Sequence, residues 1–181
     1  MLISPDYLQQ NIELHKRAAS YGTSSRRWID KVRTLADRIA PDGILDYGCG
    51  KGLLAQALPD LGIREYDPAI AGKDAAPEPA DLVICTDVLE HIEPELLDAV
   101  LADLRRVTRV CAFLNIATRP AAKSLADGRN AHLIVEQGAW WQARLEPFFT
   151  ILSSESVPDF EFNVVVAPAA EADRVGRLLG A

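Results

Sequence analysis

Apolar positions along the chain first recur at helical steps and then switch to short continuous runs. Ser4 before Pro5 reads as an N-cap and first-turn pair, and Leu8, Ile12, Leu14 and Ala18 follow as an imperfect apolar stripe that ends at Tyr21 and Gly22. Ser25 caps a second predicted helix in which Trp28, Val32, Leu35 and Ile39 share a face, and Pro41, Asp42 and Gly43 stop it. From Ile44 the period changes: Ile44, Leu45 and Tyr47 read as a buried strand running into Gly48-Cys49-Gly50-Lys51-Gly52 and a short helix over 53–58. Further strands are predicted over 63–66, 81–86 and 110–116, with a helix between the last two that opens at Glu93-Pro94 and carries Leu97, Val100, Leu101, Leu104 and Val107. After an irregular stretch, 139–145 reads as helix and 148–152 and 160–166 as two closing strands.

Strands separated by helices predict an α/β fold with a doubly wound, mostly parallel sheet. No repeat, low-complexity tract or linker interrupts the pattern, so one domain is expected over 1–181. A composition of 49% hydrophobic and 25% charged residues is that of a soluble globular chain. No apolar run approaches a membrane span and the N-terminus lacks a basic-then-apolar leader, so no membrane association and a cytoplasmic location are expected. Cys49, Cys85 and Cys111 are odd in number and never spaced C-x-x-C, which fits buried free thiols in a reducing compartment.

Charge narrows the partner. The net charge is −7, and positions 60–98 hold eleven acids (Asp60, Glu65, Asp67, Asp74, Glu78, Asp81, Asp87, Glu90, Glu93, Glu95, Asp98) against Arg64 and Lys73. Such a surface repels a polyphosphate and weighs against nucleic acid as partner, leaving a small-molecule acceptor as the expectation.

Glycines after a strand let the backbone turn sharply and approach a ligand. Their spacing sorts the alternatives: Gly52 follows Gly50 too soon for a dinucleotide fingerprint, and Lys51 precedes Gly52, the wrong order for a P-loop. LDYGCGKG, EYDPA and DLVICTDVLEHI, in that order over 43–117, resemble the successive cofactor motifs of the class I, Rossmann-like S-adenosyl-L-methionine (SAM)-dependent methyltransferases. The resemblance implies that fold and that activity. It divides the chain into covering helices (1–42), a SAM-binding core (43–117), an acceptor loop and helix (118–147) and closing strands (148–181). It also implies cofactor contacts from Gly48, Cys49, Gly50, Pro68, Asp87 and Tyr21, with Asp46 near the ammonium group and Asp67 on the ribose hydroxyls. Asp67 before Pro68 equally suits a turn cap. The chain departs from the family in the short span between Asp67 and Asp81, a pared-down segment in which Asp74 is a candidate for the adenine amino group.

For the chemistry, Asp87, His91 and His132 are the catalytic candidates, since a hydroxyl acceptor needs a base or a Lewis acid. A narrower similarity, to metal-dependent small-RNA 2'-O-methyltransferases and ubiquinone-pathway O-methyltransferases, implies a divalent site (Mg or Mn) from Asp87, Glu90, His91 and His132. The bland alternative has Asp87 capping the strand exit and His91 packing beside the cofactor. Arg119, Lys123, Arg129 and Asn130 in the loop suit an acidic or hydroxyl-rich acceptor or mere solvation, and Arg26 or Arg27 a SAM carboxylate or an ordinary helix surface. Trp140 and Trp141 suit stacking on a ring or core packing. The function expected is O-methylation of a small hydroxylated molecule such as a sugar or phenol. 2'-O-methylation of an RNA end and non-catalytic SAM binding are the alternatives.

Overall fold

A computed structural model of the chain describes residues 1–18 and 21–180. Its helices are α1 (Pro5–Arg17), α2 (Ile29–Ile39), α3 (Leu53–Ala57), α4 (Leu97–Val107), α5 (Gly138–Leu145) and α6 (Ala172–Leu179). The strands are β1 (Ile44–Tyr47), β2 (Arg64–Tyr66), β3 (Ala80–Thr86), β4 (Thr108–Ala117), β5 (Thr150–Val157) and β6 (Glu161–Ala167). They form a six-stranded sheet in the order β2-β1-β3-β4-β6-β5. β2, β1, β3 and β4 are mutually parallel, whereas β6 and β5 close the sheet antiparallel.

The central strands are buried on both faces, which explains their continuous apolar runs. Leu82 and Ile84 of β3 pack with Val32, Leu35 and Phe113 on the α2 face, while Val83 and Cys85 pack with Leu101, Leu104 and Trp141 on the α4 face. All three cysteines are buried free thiols. Burial is heaviest under β3 and β4, and this rigid centre fixes the strand ends that carry the site. At the far edge β5 shows Ser153, Ser154, Glu155 and Ser156 to solvent, a polar edge that discourages pairing with another chain.

Several expectations are corrected. The helix predicted from Ser25 is a 3-10 turn over Ser24–Trp28 followed by α2, and Pro94–Leu96 is likewise a 3-10 turn ahead of α4. The closing segment carries α6, which the pattern does not reveal because Val175 is its only buried residue. In α1 the predicted stripe is buried at Leu14 but only half-buried at Leu8 and Ile12, and Tyr7 and Asn11 are the other buried residues. Between β2 and β3 the chain forms neither helix nor strand, in keeping with a pared-down segment. No helix among the described residues is long and apolar enough to cross a membrane.

Leu114 is fully buried in β4. Leu114→Ala should lower unfolding free energy by about 2–5 kcal/mol in urea titrations, and a loss under about 1 kcal/mol would contradict this packing.

Candidate functional site

β1 is the strand at which the chain order reverses, because the next strand in sequence lies on one side of it and β3 on the other. Loops leaving the carboxyl ends of β1 and β3 therefore diverge and leave a crevice. The glycine loop leaves β1 there. Gly48 and Gly50 have φ of 78° and 51°, and a Cβ on Gly48 would run into the Val88 side chain, while one on Gly50 would lie 2.8 Å from the Cα of Gly22. The N–H groups of Gly48 and Cys49 both donate to the Tyr66 carbonyl, and Lys51 N–H donates to Gly22 O at 3.1 Å. The segment after α1 is thereby held against the loop.

A cavity of about 590 Å³, open to solvent, occupies this crevice. Gly48, Gly50, Asp67, Pro68, Asp87 and Tyr21 all line it. Asp67 stands at the end of β2 and takes the Gly50 N–H (2.9 Å) on one oxygen and the Ala69 N–H (2.9 Å) on the other. Each carboxylate oxygen retains a second lone pair, so the group can still accept a pair of hydroxyls.

Asp46 and Cys49 lie behind the loop rather than on the cavity wall. Burial first, then the charge of Glu65, raises the Asp46 carboxyl to about 7, and its Oδ2 is a buried atom without a hydrogen-bond partner. That orphaned oxygen fits a nearby cationic group such as an ammonium. Asp74 is displaced: it is exposed, accepts only the Gly72 N–H at 3.2 Å, and is absent from the cavity wall.

α1 supplies lining residues that the sequence pattern hides. Tyr7, Asn11 and His15 face the cavity from successive turns. The Tyr7 hydroxyl donates to His91 O at 2.5 Å and is pushed up to about 12 by burial, with Asn11 opposing the shift. Ser4 donates to Glu93 from both its N–H and its hydroxyl, which pins α1 over the crevice. His15 stacks edge-on to Tyr21, and burial lowers its pKa.

Beyond β3, Asp87 adopts a left-handed conformation (φ 60°), and its carboxylate accepts from the Ser24 hydroxyl at 2.6 Å. Burial pushes its pKa up, but His91, the Ser24 hydrogen bond and His132 outweigh it and hold the group below the usual carboxylate range. His91 and His132 meet edge-to-face, ring centroids 4.7 Å apart. Nδ1 of His91 lies 2.7 Å from Ala131 O, and Nδ1 of His132 lies 2.6 Å from Arg119 O. A carbonyl only accepts, so both Nδ1 atoms carry a proton and each ring turns its Nε2 to other partners. Ligand atoms of Asp87, His91 and His132 all fall within 4.8 Å of one another. This donor set, with second nitrogens anchored on carbonyls, fits a divalent ion.

Glu90 lies outside that 4.8 Å group, although its side chain interacts with the Asp87 carboxylate. It is fully buried, takes the Ala117 N–H on Oε1 at 2.7 Å, and burial together with the Asp87 charge raises its pKa well above the usual range. Its bond to the Ala117 N–H ties the turn over Leu89–His91 to the end of β4.

A second cavity, of about 670 Å³, shares Tyr21, Gly22, Asp87 and His91 with the first and extends to Arg27, Arg119, Lys123 and His132. Asn130 is internal to the loop, tying Ala121 and the His132 N–H together, and Arg129 is exposed and paired with Asp127. Arg26 is exposed, and Arg27 is ion-paired with Glu161. Trp141 is core, while Trp140 lines a groove with Leu97 and Arg144, away from both cavities.

Burial, the largest influence, depresses His91 to about 4 despite the attraction of Asp87. Between that value and its ordinary 6.5 the unfolded chain binds more protons, so this residue's contribution to stability is full above pH 6.5 and lost as pH falls toward 4. The loss should be at most about 3 kcal/mol. An imidazole NMR titration of His91 should have its midpoint near 4, and a midpoint near 6.5 would contradict the enclosure described.

No protein-family model and no curated protein matches the chain. Solved structures do. A Burkholderia thailandensis 1,6-didemethyltoxoflavin-N1-methyltransferase, with bound 1,6-didemethyltoxoflavin and S-adenosylhomocysteine (SAH), aligns with a TM-score of 0.65 at 15% identity over 93% of this chain and 92% of that one. A DhpI–SAH complex aligns with a TM-score of 0.63 at 16% identity over 91% and 98% of the two chains. The 16S rRNA methylase RmtB aligns with a TM-score of 0.52 at 20% identity over 93% and 76%. The mostly parallel six-stranded sheet is thus that of the class I SAM-dependent methyltransferase fold.

Proposed function

We propose that the protein is a SAM-dependent methyltransferase acting on a hydroxyl group of a small molecule. One observation carries the reading: two cavities, one against the glycine loop and Asp67, the other reaching His132, abut at Asp87 and His91. A methyl donor and an acceptor need such an arrangement, because transfer is an in-line displacement between two bound molecules. The fold's neighbours with SAH bound support the donor.

SAM, when bound, supplies a methyl group on a sulfonium centre. Asp67 would hold the ribose hydroxyls, Gly48 and Gly50 would let the backbone approach, and α1 with Tyr21 would exclude water. His132 and His91 present Nε2 atoms to the acceptor side, and Asp87 presents its carboxylate. Held near 4, His91 is a weak base, so its lone pair is better suited to a divalent ion than to taking a proton unaided. A divalent ion on Asp87, His91 and His132 would acidify a hydroxyl. The acceptor hydroxyl, held there with its oxygen toward the methyl group, would release its proton to solvent.

Calorimetry should show SAH binding and no response to NAD, and Asp67→Ala should weaken SAH by about 1–3 kcal/mol in a folded protein. NAD binding without SAH binding would overturn the proposal. Mn²⁺ binding, followed by electron paramagnetic resonance, should be lost alike in His91→Ala and His132→Ala and kept in Glu90→Gln. Equal Mn²⁺ affinity in wild type and both histidine variants would remove the ion from the account.

A further inference from the structure

The second cavity is basic in a protein of net charge −7. Arg27, Arg119 and Lys123 line it, against Asp87 as its one carboxylate. Arg27 and Arg119 approach the same ring, with guanidinium carbons 5.8 Å and 4.4 Å from the centroid of Phe160. Glu161 neutralises Arg27 and is itself held by the amides of Asn115 and Asn163. Arg119 and Lys123 are half-buried, and neither forms an ion pair among the described residues. Their contacts are aromatic instead, Arg119 over Phe160 and Lys123 5.7 Å from the Tyr21 ring, and the Arg119 Nε is buried without a hydrogen-bond acceptor.

Arg119 and Lys123, half-buried without a carboxylate partner among the described residues, repel one another. An oxyanion between them relieves that cost. We infer that the acceptor is a small molecule carrying a carboxylate or phosphate-type group, gripped by Arg119 and Lys123 with Arg27 at the rim, which sets its hydroxyl at Asp87, His91 and His132. The Arg119 carbonyl orients His132 while its side chain faces the same cavity, so one residue links the anion grip to the reacting end. The acidic surface over 60–98 would turn away a long polyanion but not a small one entering this basic pocket.

This inference rests on the proposed acceptor role of the second cavity, and its test does not require turnover. Phenyl phosphate, benzoate and benzyl alcohol are titrated into the protein with and without saturating SAH, followed by calorimetry. At least one anionic probe should bind about tenfold or more tightly than benzyl alcohol, and the tighter of the two names the oxyanion. Arg119→Gln and Lys123→Gln should each weaken that probe by about tenfold, whereas Arg144→Gln, in the ion pair with Asp98 outside the cavity, should not. The backbone carbonyl that holds His132 survives the Arg119 substitution, so a lost fold is not the expected cause, and circular dichroism checks it. Benzyl alcohol binding as tightly as the anions, or anion binding untouched by both substitutions, overturns the inference. Tighter binding of a single-stranded RNA oligonucleotide than of phenyl phosphate overturns the small-molecule assignment. Failure of SAH to bind would instead sink the methyltransferase reading, and the titration without SAH would still report on the anion grip.

Discussion

The arrangement of the site depends on the parallel pairing of β1 with strands on both sides. Leu45 is in register with Arg64 on one flank and Val83 on the other. This triple register brings the ends of β1, β2 and β3 to one edge, so Gly48, Asp67 and Asp87 meet although they are far apart in sequence. The hydrogen bond from Gly50 N–H to Asp67 and the shared Tyr66 carbonyl then fix the loop's path. Burial of β3 and β4 on both faces gives that edge its rigidity, which a site for aligned displacement needs.

Desolvation governs the charge states around the cavities. It raises Glu90 and Asp46 and lowers His91, while the imidazoles and the Ser24 hydrogen bond hold Asp87 below the usual carboxylate range. The groups nearest the junction of the two cavities are thus one carboxylate and two imidazoles. Glu90 shows the opposite outcome for the same residue class, because an amide N–H and complete burial replace the solvent that a carboxylate needs.

Much of this edge was legible in the sequence, because LDYGCGKG, EYDPA and DLVICTDVLEH each place their polar residues directly after an apolar run. Strand ends are where a parallel sheet exposes its ligands, so order along the chain translated into position in space. What was hidden came from elements whose docking no local pattern fixes. Tyr7, Asn11 and His15 lie one turn apart on α1, yet as polar and aromatic residues they lose to the Leu8–Ile12 stripe in any apolar count. Phe160 and Glu161 reach Arg27 and Arg119 only because β6 inserts antiparallel between β4 and β5, a register absent from the local sequence. Asp74 lies off the cavity wall for a related reason, since the shortened segment curls on itself through the Gly72 N–H.

The most direct test of the account is a crystal structure with SAH bound. The account places its ribose hydroxyls within hydrogen-bond distance of Asp67 and its sulfur facing Asp87 and His91, with the amino-acid end along Gly48 and Gly50. SAH bound elsewhere, or bound in this crevice with Asp67 making no contact to the ribose, would contradict it.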